Sequence, residues 1–320
     1  MITAKRARPC PLCGEDKPKT EFAKGGFDFA RCQACSHLYI AEVLADNYHF
    51  EEEYYDDKDI EEVEAYDPRS VRGERVSRFA DDLQKAFGPR KDLKILDVGC
   101  GKGWHLGMMK SLGYTDVRGV EVNKKVAQAA TRLRGVPVDQ GFLEEIRYPD
   151  GTYDAVFMDQ VVEHLEDPRT LLKEALRILK PGGLIWVSVP NIDAWHIRLW
   201  LKENHRHFEG SKHLNYYTCA TLSRLLDGVG FRVSHVKTFI EEATVQRVKG
   251  VLTSPTDFES TAVRKQKAAS GAKKSMPAMK PGKAKSALHL AFAPVNALLI
   301  LLTRSLNAGA YIEIVGRKAS

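Results

Sequence analysis

No apolar run in this 320-residue chain is long enough to cross a bilayer. The longest, Ala287 to Leu302, has 16 residues and carries His289, Pro294 and Asn296, whereas a span needs about 20 largely apolar residues. The N-terminus, MITAKRARPCPLCG, is basic but leads into no apolar stretch of the kind a secretory leader needs. No leader is therefore expected, and the cytoplasm is the expected compartment. Internal repeats are also missing. Acid is missing from one segment: Arg264 to Lys285 holds eight basic residues and no Asp or Glu. Without that segment the net charge of +6 falls to −2. From Glu42 to Asp67 the bias reverses, with twelve acids against Lys58. Basicity belongs to one segment and not to the folded body, so nucleic acid is not expected as a partner.

What is present is ordinary for a soluble protein with a real core: 43% hydrophobic and 28% charged residues. The length suits one large α/β domain with appendages, or two domains. Of six cysteines, four fall in the first 36 residues as Cys10-x-x-Cys13 and Cys32-x-x-Cys35, with 18 residues between the knuckles. Four thiolates at this spacing can converge on zinc and close a small ribbon. Cytoplasmic disulfides are disfavoured, and a redox CxxC would open a helix in a βαβ unit. With every ligand position filled such a zinc is structural. Cys100 and Cys219 read as small packing residues. The chain divides into a zinc ribbon (1–36), an acidic connector (37–68), a core (69–240), a basic low-complexity stretch leading into the apolar segment (241–308), and a last core strand with its tail (309–320).

The core alternates strand-like and helix-like patterns. Leu93–Val98, Val117–Val122, Tyr153–Met158 and Leu184–Val189 read as strands. Asn123 is placed to cap a helix over Lys124–Arg134, and Arg169–Leu179 has the apolar spacing of one buried helix face. LKPGG stops that helix before the next strand. Phe231–Phe239 and Tyr311–Val315 supply two more strands. This rhythm predicts an α/β fold, a doubly wound and mostly parallel sheet covered on both faces.

Such a sheet binds ligands at the carboxyl ends of its strands, where KILDVGCGKGWH (94–105) sits. A dinucleotide fingerprint, G-x-G-x-x-G, requires a third glycine where Trp104 stands, and a phosphate loop requires Ser or Thr where Gly103 stands. Both phosphate readings fail on spacing. The alternative is a bulky ligand lying on bare backbone, since Gly99, Gly101 and Gly103 lack the Cβ atoms that block approach. Asp97 is placed to orient the loop or to accept from a ligand ammonium. Glu121, ending the next strand, is placed to accept both hydroxyls of a ribose. Together they describe a site for an adenosine with an amino-acid tail.

These residues, with YDAVFMDQVVEHLEDP and LKPGGLIWVSVPN in this order, resemble the class I S-adenosylmethionine-dependent methyltransferases over about residues 69–240 and the last strand. The resemblance implies a seven-stranded, Rossmann-like sheet and S-adenosylmethionine as cofactor. It implies cofactor contacts from Asp97, Gly99, Gly101, Gly103, Glu121 and the loop after Asp139. Gly141 is followed by Phe142 instead of the acid often found there, so adenine is expected to meet backbone or ring packing at that point.

The loop after the fourth strand is similar to that of ubiquinone-biosynthesis O-methyltransferases, whose E-x-x-E-H motif holds a metal. Gln160 stands at the first position, leaving Glu163 and His164, too few charged oxygens for magnesium. Gln160 is kept as a cofactor contact. His164 is the first candidate for general base or for packing over the cofactor. His213, in HRHFEGSKHLNYYT with His205, His207, Tyr216 and Tyr217, is the second candidate for acid, base or acceptor contact, against an aromatic packing corner. The expected activity is methyl transfer to a small molecule, at oxygen, with a quinone-like, glycan or lipid-linked acceptor. RNA, read by the ribbon and the lysine run, is the rival acceptor; a non-catalytic cofactor-binding scaffold is the other. The segment 264–308 is expected to form a lid over the site, a peripheral membrane contact, or both.

Overall fold

The computed structural model describes residues 5–44, 67, 70–195, 197, 207–239 and 309–320. Five short strands come first: β1 (Lys5–Ala7), β2 (Pro18–Lys24), β3 (Phe27–Cys32), β4 (Leu38–Ile40) and β5 (Glu42–Leu44). The core then runs α1 (Val71–Phe87), β6 (Lys94–Val98), α2 (Trp104–Ser111), β7 (Asp116–Glu121), α3 (Lys124–Arg134) and β8 (Val138–Gln140). It continues through α4 (Leu143–Ile146), β9 (Tyr153–Asp159), α5 (Pro168–Ile178) and β10 (Leu179–Pro190). It closes with β11 (Asn215–Tyr216), α6 (Cys219–Val229), β12 (Arg232–Phe239) and β13 (Tyr311–Arg317).

Local signals start three of these helices, two of which the sequence places. Asn123 caps α3 by accepting from the Val126 amide, and Asp167 caps α5 ahead of Pro168 at its first turn. Thr218 and Thr221 form a reciprocal capping box on α6.

Seven strands pair in the order β12-β13-β10-β9-β6-β7-β8. Only β13 runs antiparallel to its neighbours; the other pairs are parallel. The central strands are apolar on both sides, as a covered parallel sheet demands. Ile95, Ala155, Phe157, Leu184 and Trp186 pack one face against Val76, Phe79 and Leu83 of α1 and Leu106 and Met109 of α2. Leu96, Val156, Met158, Ile185 and Val187 pack the other against Leu171, Leu172 and Ala175 of α5 and Leu222 and Leu225 of α6. One element differs from its reading: β10 begins at Leu179, which pairs with Tyr153, and KPGG forms an irregularity inside the strand before pairing resumes at Leu184. The turn signal is real, but the pairing with β9 continues on both sides of it.

The smaller sheet has the order β11-β4-β3-β2, so its outermost strand is lent by the core. A ring cluster of Phe22, Phe29, Phe208 and Tyr216 fills the space beneath it. The N-terminal unit thus runs past the expected boundary at residue 36 to Leu44, because Leu38–Ile40 supplies one of its two inner strands and Glu42–Leu44 pairs with β1. Most of the acidic stretch, His205, and the whole basic and apolar segment 241–308 lie outside the described residues. Among the described residues no helix is long and apolar enough to cross a membrane.

Arg8 fastens the small sheet to the large one. Only 5% exposed, its guanidinium donates to the carbonyls of Ile40 (2.8 Å), Glu166 (2.8 Å) and Leu214 (2.6 Å) and to Asn215 Oδ1 (3.2 Å). Arg169 donates to the Leu12 carbonyl and Arg224 to the Cys35 carbonyl, so α5 and α6 also grip the N-terminal unit. Replacing Arg8 with Met removes its four hydrogen bonds, leaving the Leu214 carbonyl with the Ile40 amide alone; the expected cost is roughly 3 kcal/mol, read as a lowered midpoint in denaturant unfolding of the full chain.

Candidate functional site

The loop after β6 is built from bare peptide because its neighbours leave no room for side chains. The amides of Gly99 and Cys100 both donate to the Val120 carbonyl, at 2.9 and 3.1 Å. Gly99 has φ +69°, and a Cβ there would stand 2.8 Å from Val161 Cγ2. Gly103 opens α2 at φ +68°, with its missing Cβ 3.3 Å from Ala130. Glu121 latches the loop: Oε2 accepts from the Gly101 amide at 2.9 Å and Oε1 from the Asn123 amide at 3.0 Å. Each oxygen keeps a second lone pair, the capacity that a ribose diol requires. Burial raises the pKa of Glu121 while the two amides pull against it. The Gly141 amide donates to the Glu121 carbonyl at 3.1 Å, which sets Gly141 and Phe142 beside the end of β7.

Asp97 does not sit alone at its strand end. It is 1% exposed, and His105 Nδ1 lies 3.7 Å from its Oδ2. The other imidazole nitrogen lies 3.4 Å from Asp159 Oδ2. Arg75, on α1, donates through Nη1 to both Asp159 oxygens at 2.8 Å and stacks its guanidinium over Tyr311. Burial raises the pKa of Asp97 despite His105. Burial also pushes on Asp159, but Arg75 and His105 prevail and hold it below its ordinary value. Arg75, His105 and Asp159 were missed by sequence reasoning. Asp159 and His105 carried a signal, one closing a strand at the sheet's carboxyl edge and the other following the glycine loop. Arg75 carried none, since only the folded helix brings it there.

Gln160 turns the chain after β9. Its φ is +59°, a left-handed conformation uncommon for a residue with a side chain, and both its amide and its Nε2 donate to the Ser188 carbonyl. That turn sets Val161 against Gly99 and sends Glu163 inward. Glu163 is fully buried, and among the described residues neither carboxylate oxygen has a hydrogen-bond partner. Burial drives its pKa well above the ordinary carboxylate range. The Glu163 carbonyl accepts from the amides of Leu214 and Asn215, at 2.8 and 3.0 Å. His164 and His213, from two separate motifs, meet with ring centres 4.8 Å apart. His164 Nδ1 donates to the Lys212 carbonyl at 2.9 Å and His213 Nδ1 to the His207 carbonyl at 3.1 Å. Burial holds His164 down to a pKa of about 4. One ligating atom from each of Glu163, His164 and His213 can be chosen so that all lie within 4.8 Å of one another.

Cys10, Cys13, Cys32 and Cys35 also bring their sulfurs within 4.8 Å of one another, with Cys10 and Cys35 3.6 Å apart and Cys13 and Cys32 3.5 Å apart. Both knuckles turn alike: the Gly14 amide donates to the Cys10 carbonyl, the Ser36 amide to the Cys32 carbonyl, and both residues are left-handed. Four thiols so placed fit a tetrahedral ion with metal–sulfur bonds of about 2.3 Å.

A family described as a methyltransferase domain matches residues 71–236. A probable S-adenosylmethionine-dependent methyltransferase of Mycolicibacterium smegmatis is 31% identical over 140 residues, 43% of this chain and 52% of its own. The ubiquinone biosynthesis O-methyltransferase of Azorhizobium caulinodans is 30% identical over 181 residues, 52% of this chain and 69% of its own. A solved S-adenosylmethionine-dependent methyltransferase from Archaeoglobus fulgidus is similar at a TM-score of 0.48 and 20% identity, covering 78% of this chain and 96% of that one. The chain spans about half the length of the first curated relatives it matches.

Gly99→Ala places a methyl group against Val161 at a left-handed position. Thermal unfolding is expected to report a loss of about 1–3 kcal/mol, with Val161→Ala in the same chain recovering the steric part only.

Proposed function

The chain belongs to the methyltransferase-domain family, and from that premise we propose that it moves the methyl group of S-adenosylmethionine to an oxygen of a small molecule. The observation that carries this reading is the latch between Glu121 and the Gly101 amide, which holds bare peptide and a carboxylate side by side at the switch point of the sheet. In this reading Glu121 receives the ribose hydroxyls. The peptide from Gly99 to Gly103 lies along the amino-acid tail, Asp97 and His105 set the charge at its ammonium, and Phe142 borders the adenine. Gln160 supports the cofactor pocket by holding the turn that seats Val161.

The sulfonium already activates the methyl group; the chain must align an acceptor with it and take up the acceptor's proton. His164 and His213 are the residues we assign to that side, with Glu163 beneath them. An enclosed cluster of this kind suits a hydroxyl on a small quinone-like, glycan or lipid-linked molecule better than a polynucleotide. We further propose that the four N-terminal cysteines hold a structural zinc, and that a cytoplasmic enzyme makes a peripheral membrane contact through 264–308.

Two measurements test this reading. Glu121→Ala should weaken cofactor binding by roughly 10- to 100-fold in calorimetry, the loss of one or two charge-assisted hydrogen bonds, and unchanged affinity would remove the site. Incubation of the purified chain with cell extract and methyl-labelled cofactor should place label in small molecules of the organic or aqueous fraction. Label confined to RNA, and lost on deleting 264–285, would replace the acceptor class; cofactor binding with no label anywhere would favour the scaffold.

A further inference from the structure

We propose that His105 is the cation that the cofactor's ammonium group replaces: protonated between Asp97 and Asp159 ahead of binding, it gives up that proton as the amino-acid tail arrives. The inference deepens the cofactor reading made above and rests on it. It starts from one imidazole lying between two buried carboxylates that end different strands. His105 Nδ1 lies 3.7 Å from Asp97 Oδ2, and Nε2 lies 3.4 Å from Asp159 Oδ2. A neutral imidazole has one N–H and one lone pair, so in either tautomer a lone pair turns toward a carboxylate. Imidazolium offers an N–H on both sides, and it is the form this arrangement fits.

The charges around the ring leave that role to His105. Arg75, on α1, is committed to Asp159 through both oxygens at 2.8 Å and to the Tyr311 ring, 4.6 Å from its guanidinium. Against Asp97 stand His105, which favours the ionised carboxylate, and Asp159, which opposes it. Further out, Glu121 on β7 acts on Asp97, while Glu163 after β9 and Glu313 on β13 act on Asp159. Arg78 matches Glu313. The rings beside His105, Trp104 on its own helix and Phe157 on β9, carry no charge.

The contact is also one that can be exchanged. Among the described residues Asp97 Oδ2 and His105 Nε2 have no hydrogen-bond partner, so charge holds the ring in place and directed bonds do not. An ammonium that donates to Asp97 Oδ2 is a closer cation than the imidazole. With Asp97 matched by the ligand and Asp159 by Arg75, a charged imidazole has a cation on each side and sheds its proton to solvent. One ammonium enters and one proton leaves, so the net charge of the cluster is unchanged. The bound form holds fewer protons, and cofactor affinity therefore rises with pH across the imidazole range.

The test is calorimetry of the full chain with S-adenosylhomocysteine, the demethylated cofactor, which keeps the ammonium. Titrations in buffers of different ionisation heat count the protons released. Release approaching about one proton per ligand is expected at the acid end of the range between about pH 5 and 8, and affinity should rise there by up to about tenfold per pH unit before levelling. His105→Gln, which keeps an N–H donor and has nothing to titrate, should bind with no release and a flat profile over the same range. Methylthioadenosine, which has the nucleoside and sulfur without the amino-acid tail, should release none from the wild type. Binding of S-adenosylhomocysteine to the wild type with no proton released would overturn the proposal, whatever the variant does. So would release that persists in His105→Gln, which puts the proton on Asp97, or equal release with methylthioadenosine. No binding at any pH would remove the cofactor reading and this inference with it, whereas binding without protons removes this inference alone.

Discussion

A buried guanidinium holds the two sheets of this protein together. Arg8 is removed from water, which pulls its pKa down to about 10, yet it stays charged at neutral pH because three carbonyls and the Asn215 side chain surround it. Those acceptors are not scattered. Glu166 and Leu214 stand two residues after His164 and one after His213. Asn215 returns the grip by donating to the carbonyls of Val162 and Leu165. The segments that carry the two imidazoles, already bonded to each other through the Lys212 and Glu163 carbonyls, are thus also held by an arginine that the N-terminal unit contributes.

Charge explains why the interior tolerates this arrangement. Asp97, Glu121 and Glu163 are all buried and all raised in pKa, whereas Asp159 is lowered because Arg75 and His105 face it. Carboxylates outnumber the cations that neutralise them along the carboxyl edge of the sheet. A ligand bearing an ammonium and a sulfonium would relieve that excess.

The larger sheet was legible because its strands are short apolar runs closed by glycine or acid, and because Asn123 marks a helix start without help from tertiary contacts. The glycine loop was legible for a related reason: Gly99, Gly101 and Gly103 are all left-handed, a local backbone requirement that glycine meets, whereas the clash with Val161 comes from a distant part of the chain. The acceptor side was readable as a set of residues and not as an arrangement. Glu163-His164 and His213 are far apart in the chain, and nothing in their spacing announces that Leu214 and Asn215 bond the Glu163 carbonyl. The extent of the N-terminal unit was hidden likewise, since Leu38–Ile40 reads as a strand only once Asn215–Tyr216 lies beside it.

That borrowed strand bears on how such a chain could have been assembled. A zinc-bearing module joined by a linker can be traded between enzymes as a cassette, leaving each partner whole. Here the N-terminal sheet ends in an unfilled edge unless residues 215–216 complete it, and the same segment is bonded to the Glu163 carbonyl of the core. Substitutions in HLNYYT therefore answer to both parts at once.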